Sequence, residues 1–398
     1  MDRISTASAY NGAIDNLLTR QVALTDTQIQ LTSGKRVNQA SDDPTAAARA
    51  ERARALIART DATKRAVDAS RNAMTLTESA LGDAGDILQQ IREQVVAAGN
   101  ASYSDAERAS VAKSIQALRN QLLSVANRPD GNGGYVFSGQ GSGGAPFTDS
   151  PGGVAFQGVS GSVKVASEEP LPLTLDGGAI FLQANTGNGV FETSNVNSGS
   201  AWIDAGRVTA PNQITGSTYS IQFSTAAGAA TYSVLKDGNP TAITNAAFTS
   251  GQAIAVDGMT FTISGAPANG DQFQISPSKP TLSVFDSIDK ITQSLLKPNQ
   301  GTQQVTQALQ SGLRDLDQGA SQLQSARSVA GSTLSRLDGV QGRLDATDLW
   351  GETTRSNAED LDMVKAMSNF QNQQTGYQAA LQSYAVVQKM SLMQYLNP

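Results

Sequence analysis

Residues 361–396, LDMVKAMSNFQNQQTGYQAALQSYAVVQKMSLMQYL, decide how the rest of the chain is organised. Side chains in this stretch follow alternating steps of four and three residues, an average of about 3.5 that is typical of a coiled-coil seam. The seam consists of Met363, Met367, Phe370, Gln374, Tyr377, Leu381, Tyr384, Gln388, Ser391 and Tyr395. At about 1.5 Å per residue, such a helix is on the order of 50 Å long and needs a long partner helix.

The N-terminal residues offer that partner. The same alternating step runs through Ala7, Tyr10, Ile14, Leu17, Gln21, Leu24, Gln28 and Leu31. Two ends that are far apart in sequence therefore carry matching seams, and we predict that they pair.

Glutamine weakens both predicted seams. Gln21 and Gln28 on one helix, and Gln374 and Gln388 on the other, occupy positions where a stable dimer has Leu or Ile. A buried amide without a partner costs roughly 1 to 3 kcal/mol. This pattern predicts helices that are marginal in a lone monomer and become ordered against copies of themselves or related subunits. The alternative is that each Gln faces solvent in an ordinary intramolecular helix pair.

Apolar side chains on the two terminal helices, most of them in the seams, are the candidate functional residues, as a subunit interface. They are Ile14, Leu17, Leu24, Leu31, Met367, Phe370, Tyr377, Leu381, Tyr384, Leu392, Tyr395 and Leu396.

Composition argues against several classes of function. The 398 residues carry a formal net charge of -6, which disfavours a nucleic-acid partner, and include neither Cys nor His. Without them the chain lacks thiolate nucleophiles, the commonest general base and the usual zinc ligands. We therefore predict no catalytic residue, no cofactor, no metal and no enzyme activity.

The N-terminal residues and the hydropathy of the chain predict where the protein is located. No apolar segment follows Met1-Asp2-Arg3, so we expect no ordinary secretory signal. No run of about 18 apolar residues is present, so we expect no membrane insertion. By sequence alone, these features favour a soluble cytoplasmic protein.

Helical and β patterns alternate in large blocks. Asp43 before Pro44 predicts a helix start, and a stripe with the 3-4 step continues to Ala98. Ser104 and Glu107 form a predicted capping box for the next helix. From Arg128 onward, short strands are predicted, including residues 135–137, 219–223 and 232–235. The clearest is a hairpin around Asp257-Gly258, since this dipeptide suits a type I′ turn. Helical patterns return at residues 282–296 and 309–344.

The blocks predict an α+β multidomain, elongated protein. Its N- and C-terminal helices pair into a coiled coil or helical bundle, and a β-rich distal domain is inserted between them. The predicted domains are residues 1–35 plus 360–398 for terminal assembly, 36–140 plus 281–359 for a helical bundle, and 141–280 for the β-rich outer domain.

Motifs that suggest chemistry have structural explanations. Residues 130–134, DGNGG, begin like a calcium loop, but position 12 would be Gly141 instead of a bidentate Glu. The carboxylate pairs Asp42-Asp43 and Asp360 with Asp362 adjoin predicted helix starts, where negative charge is favourable. Capping explains these pairs without catalysis.

Three segments carry a family resemblance. Residues 3–6, RIST, residues 31–44, LTSGKRVNQASDDP, and residues 360–363, DLDM, closely resemble the N- and C-terminal signatures of the flagellin superfamily. Residues 125–139, 265–273 and 391–396 are more similar to hook-associated members of that superfamily than to filament flagellin. Filament flagellin itself is the alternative.

The resemblance implies a secreted structural subunit of the bacterial flagellum, exported by the type III apparatus and located at the hook-filament junction. It implies a homo-oligomeric ring with hook-associated protein 1 and flagellin as neighbours. It also implies a cytoplasmic export chaperone that binds the C-terminal helix. This location would replace the cytoplasmic one.

Overall fold

A computed structural model describes residues 6–100, 102–165, 170–196, 200–226, 229–298 and 302–396. Side chains are described from residue 10 onward within these ranges, apart from residues 226, 302–303, 387 and 390–396.

Seven α-helices are present in the described ranges. They are α1 (Thr6–Ser33), α2 (Pro44–Ala98), α3 (Asp105–Ala126), α4 (Gly177–Phe181), α5 (Val284–Leu296), α6 (Thr302–Glu359) and α7 (Met363–Leu396). The predicted pairing of α1 with α7 and the predicted starts of α2 and α3 are confirmed. At α3, Ser104 N donates to Glu107 Oε2 at 2.7 Å and Glu107 N donates to Ser104 Oγ at 3.3 Å, which completes the capping box.

The chain divides into two compact units. The terminal unit comprises Met1–Arg65 and Val340–Pro398, and the central unit comprises Ala66–Gly339. The terminal unit therefore contains α1, α7, the start of α2 and the end of α6.

A helical core fills one part of the central unit. The predicted inward stripe of α2 is buried, including Leu81, Leu88 and Val95, which recur every seven residues. It packs with α3, α5 and α6 side chains such as Ile115, Ile288 and Leu316 in the same cluster. This spacing explains why α2 is helical throughout, since only a 3.5-residue repeat places these side chains on one face.

Buried Arg119 ties three elements of this core together. Its guanidinium lies beside the carboxylates of Asp149 and Asp289, and its Nη2 atom is 2.9 Å from Asp149 Oδ1 and 2.7 Å from Asp289 Oδ2. Hydrogen bonding to Arg119 is the main cause of the lowered pKa of Asp149. The charge of Arg119 is thus compensated within the core.

Sixteen short strands lie in the described residues between α3 and α5. They are β1 (Phe147–Ser150), β2 (Gly153–Phe156), β3 (Lys164–Val165), β4 (Leu171–Pro172), β5 (Ala184–Asn185), β6 (Phe191–Asn195), β7 (Ser200–Ile203), β8 (Arg207–Val208), β9 (Tyr219–Ala226), β10 (Ala229–Lys236), β11 (Asn239–Pro240), β12 (Ala246–Ala247), β13 (Ala253–Val256), β14 (Met259–Ala266), β15 (Gln272–Pro277) and β16 (Pro280–Leu282).

The strands pair antiparallel in two main sheets. One has the order β11-β10-β9-β15-β6, with β12 also on β10, and the other has the order β13-β14-β7, with β8 also on β14. Alternate side chains of both sheets, such as Ile221, Phe261 and Phe273, enter a second core that is separate from the helical one. The predicted hairpin is confirmed, because Asp257 and Gly258 have φ angles of 43° and 78° and join β13 to β14.

The chain enters and leaves the core of the two sheets through two neighbouring segments. Asn185 and Pro280 are register partners in the β5–β16 pair, so the chain enters and leaves at neighbouring points. Phe147 and Phe181, in contrast, belong to the helical core. The predicted division into three domains stays a prediction.

Residues 135–137 form no strand, unlike the sequence prediction. Tyr135 makes only an isolated bridge to Pro129. Phe137 is fully buried and its carbonyl accepts from Gly177 N at 3.3 Å, so this segment packs against α4 instead of entering a sheet.

The arrangement confirms the predicted α+β class, with helical N- and C-terminal regions and an inserted β-rich region. No helix in the described ranges has the length and apolar character needed to cross a bilayer.

Candidate subunit interface

The two terminal helices form an antiparallel pair with defined polar contacts. Thr27 Oγ1 donates to Gln373 Oε1 at 2.7 Å in the middle of the pair. Nearer the ends of the chain, Tyr384 OH donates to Tyr10 OH at 2.7 Å, and the two rings are 5.7 Å apart. These contacts fix the register of α1 against α7.

The inner seam of α7 differs in part from the predicted one. Its buried or half-buried positions are Ala366, Phe370, Gln373, Tyr377, Ala380 and Tyr384, with Gly376 beside Tyr377. The three aromatic residues agree with the prediction, and the positions between them lie one residue earlier than predicted. Small Ala side chains at two of these positions allow close approach of α1, although they contribute little to a hydrophobic pattern.

The four glutamines of the predicted seams are all exposed. Gln21, Gln28, Gln374 and Gln388 face solvent in the monomer, so none of them is an unpaired buried amide. The seam amide is Gln373, and it is hydrogen-bonded to Thr27. Within one chain, the alternative of an ordinary helix pair with solvent-facing Gln is therefore correct.

The candidate interface residues fall into two sets. Half-buried between α1 and α7 are Ile14, Leu17, Leu24, Leu31, Phe370, Tyr377 and Tyr384. Met367 and Leu381 point outward and are 47% and 42% exposed. The side chains of Leu392, Tyr395 and Leu396 lie outside the described part of the chain. Whether any of these residues contacts another subunit stays a prediction.

Further apolar side chains extend the outward set. Together with Met367 and Leu381 they form what we call the outer apolar surface, completed by Leu18, Val22, Ile29, Met363 and Val364, all of which are exposed. A shallow groove of ≈ 450 Å³ lies at Met363, Val364, Met367, Ser368 and Gln371. Leu18, Val22 and Ile29 lie outside the predicted seam of α1, although their spacing of four and then seven residues is present in the sequence.

Two backbone segments meet where the signature segments lie, residues 34–36 after α1 and residues 359–361 before α7. We call the hydrogen-bonded contact between them the backbone crossing. Gly34 ends α1 with a φ angle of 69°, a conformation that favours glycine. Beyond it, Arg36 N donates to Glu359 O at 2.7 Å and Leu361 N donates to Gly34 O at 3.0 Å. The crossing therefore holds the start of α7 beside the end of α1.

Two of the four carboxylates that we assigned to capping accept from amides at a helix start. Asp43 Oδ1 accepts from Ala46 N at 3.0 Å, and Asp362 Oδ1 accepts from Val364 N at 3.1 Å. The hydrogen bond from Ala46 N is the main reason that the pKa of Asp43 falls to about 2. The capping interpretation of Asp43 and Asp362 is confirmed. The interpretation is wrong for Asp42, whose Oδ2 atom accepts from Asn38 N and Gln39 N in the preceding loop.

Glu359 forms a buried ionic cluster beside the crossing. Its side chain is only 2% exposed, and its Oε1 atom lies 2.8 Å from Arg355 Nη1 and 3.6 Å from Lys35 Nζ. Its Oε2 atom accepts from Arg54 Nη2. One carboxylate thus links α2, α6 and the segment after α1. Sequence reasoning missed this cluster, because its members are distant in the chain and share no motif.

Comparisons with known proteins agree with the helical ends and the β insert. The family model for the bacterial flagellin N-terminal helical region matches residues 4–142, and the model for the flagellin C-terminal helical region matches residues 313–396. The model for the D2-like domain of flagellar hook-associated protein 1 matches residues 192–277.

Individual relatives are similar over different lengths. Flagellar hook-associated protein 3 of Salmonella typhimurium is 34% identical over 187 residues, which are 45% of this chain and 56% of that protein. The chain thus spans little more than half the length of the curated relatives it matches first.

A crystal structure of Xanthomonas campestris FlgL is 32% identical with a TM-score of 0.67, over 77% of this chain and 99% of that one. The Legionella pneumophila hook-associated protein 3 structure has a TM-score of 0.71 at 26% identity, over 77% and 98% of the two chains.

The two helical ends match flagellin models, and the β insert matches a domain of a hook-associated protein. Together they place the chain in the class of flagellin-like structural proteins. Within that superfamily, the chain belongs to the FlgL family, the family of hook-associated protein 3.

Proposed function

We propose that this chain is a secreted structural subunit of the bacterial flagellum, located at the hook-filament junction. It forms a ring of copies there that joins hook-associated protein 1 to the flagellin filament, and it is required for filament assembly and motility. It acts without catalysis, cofactor or nucleic acid.

The outer apolar surface is the observation that carries the proposal. The described part of the α1–α7 pair already has an inner seam of its own, yet Leu18, Val22, Met367 and Leu381 remain exposed. Exposed apolar side chains in helical register favour packing against another helix. A structural subunit with axial and lateral neighbours would cover them.

The second candidate is filament flagellin itself, which the matched helical ends also allow. The match of residues 192–277 to a hook-associated D2-like domain favours the junction protein instead.

Immunogold labelling of isolated flagella distinguishes the two. We expect a single band of label at the joint between hook and filament, and we expect a deletion strain to carry hooks without filaments. Label along the whole filament would favour flagellin, and labelling of neither structure would contradict both candidates.

We further propose that an export chaperone covers α7 before assembly, because four residues of the outer apolar surface, Met363, Val364, Met367 and Leu381, lie on this helix. A chain that ends at Ala358 should therefore lose binding to the chaperone in titration calorimetry, while the full chain binds. Equal affinity of the two chains would place the binding site elsewhere.

A further inference from the structure

The outward face of the first part of α2 combines small and basic side chains. Ala48, Arg52, Ala55, Arg59 and Ala62 follow steps of four and three residues and are all exposed. No carboxylate in the described part of the chain forms an ion pair with Arg52 or Arg59, although Arg54 and Lys64 of the same helix are paired. Two guanidinium groups on this face thus lack an anionic partner.

The outward face of the last part of α6 is uncharged and carries two large apolar side chains. Gly342, Ala346, Leu349 and Thr353 follow the same alternating step and are exposed. Leu349 is 70% exposed, and Trp350 beside it is 63% exposed. Trp is among the residues most enriched at the energetic centres of protein interfaces, so this exposure favours a partner.

The two faces lie on opposite sides of the α2–α6 pair within the terminal unit. A Cβ added at Gly351 would lie 2.9 Å from Ile57 Cγ1, so Gly351 and Ile57 mark the sides on which the helices touch. At about 3.6 residues per turn, Ala55 lies nearly half a turn from Ile57, and Leu349 lies nearly half a turn from Gly351. Each copy therefore offers one outward face on α2 and a different one on α6.

We propose that the outward face of α6 on one copy packs against the outward face of α2 on the next copy. This contact rests on the proposed ring of copies and names its lateral surfaces. Leu349 fits between the small side chains at Ala48, Ala55 and Ala62. A guanidinium of α2, from Arg52 or Arg59, stacks on Trp350, which provides a cation–π contact for a charge that is unpaired in the described part of the chain.

The edge of the α6 face adds charge complementarity. Asp345 and Glu352 are one heptad apart beside Leu349, and their side chains are 57% and 49% exposed. Each already pairs with one cation of its own chain, Asp345 with Lys64 and Glu352 with Arg355, and their exposure leaves room for a second cation. They can receive the second guanidinium of α2, whereas two copies of the basic α2 face would repel each other. The contact is thus heterologous, and a heterologous contact between opposite sides of a subunit repeats until the ring closes.

Cross-linking between single-cysteine variants tests this contact, because the chain contains no cysteine. Cells that express Leu349→Cys and Ala55→Cys copies together are used, and their isolated flagella are treated with a short bis-maleimide. We expect cross-linked dimers from this mixture and none from either variant alone. All substituted positions are exposed, so the monomer fold is retained.

The matched control combines Leu349→Cys with Arg65→Cys, which is also exposed on α2 but lies nearer its α6-facing side. No dimer is expected from this control. Equal dimer from both mixtures, or no dimer from the Leu349–Ala55 mixture, overturns the proposed contact.

The location of the chain is scored separately by immunogold labelling. Correct location without the Leu349–Ala55 cross-link overturns the contact and leaves the proposed function intact. Absence of the chain from the junction overturns the proposed function. In that case the same two mixtures are cross-linked as purified full-length chains at high concentration. The contact is then decided by the same criteria.

Discussion

Glu359→Gln should weaken the backbone crossing of the terminal unit by about 2 kcal/mol, because a buried carboxylate with three cationic partners is replaced by a neutral amide. The amide oxygen can still accept from one partner, but its NH₂ group faces another donor, Arg54 or Arg355. Removing one member of a buried ion pair costs up to about 5 kcal/mol. We expect less here, because Lys35 and Arg54 are 40% and 42% exposed and can be rehydrated.

Hydrogen exchange at two backbone amides measures this effect. Arg36 N and Leu361 N donate across the crossing, so their exchange reports its opening. A loss of about 2 kcal/mol corresponds to roughly 30-fold faster exchange. Glu352→Gln is the matched control, since Glu352 pairs only with Arg355 in the described structure and is 49% exposed. Its effect should stay below about 0.5 kcal/mol. Equal exchange in wild type and Glu359→Gln would show that the cluster does not hold the crossing closed.

Local signals explain why the helices could be predicted. Asp43 before Pro44 and the Ser104–Glu107 capping box act within a few residues, and the structure shows both caps. The Asp257-Gly258 turn is equally local, since both residues adopt the positive φ angles that the dipeptide predicts. Such features need no knowledge of the rest of the fold.

The phase of the α7 seam could not be decided from hydrophobicity alone. Phe370, Tyr377 and Tyr384 belong to the inner seam in both the prediction and the structure. Between them, larger side chains such as Leu381 favoured one phase, whereas close approach of α1 selects the smaller Ala380. The aromatic side chains thus stay in the inner seam, and Leu381 belongs to the outer apolar surface.

Long-range ionic contacts also could not be predicted from the sequence. The basic residues of α2 by themselves predict a solvated helix face, and this holds for the exposed Arg52 and Arg59. It is wrong for Arg54, which contacts Glu359, and for Lys64, which lies 3.0 Å from Asp345 and 2.8 Å from Asp348. These partners are more than 280 residues away, so no spacing rule connects them.

Leu381→Asp should abolish filament attachment while it leaves the monomer folded. Leu381 is 42% exposed on the outer side of α7, so an Asp carboxylate there stays hydrated in the free chain. If the proposed interface covers this position, assembly must desolvate that charge without a partner, at a cost of several kcal/mol per subunit. The penalty recurs at every copy in the ring.

Electron microscopy and analysis of the culture medium measure the result. Cells with Leu381→Asp should carry bare hooks and release unpolymerised flagellin, whereas the purified variant should keep the helical content of the wild type by circular dichroism. Leu381→Met is the matched control, since it keeps an apolar side chain of similar volume and should support normal filaments. Normal filaments on the Asp strain would place Leu381 outside the interface. Loss of helical content in the purified variant would instead assign Leu381 to the inner seam of the pair, because only there would the charge disrupt the monomer itself.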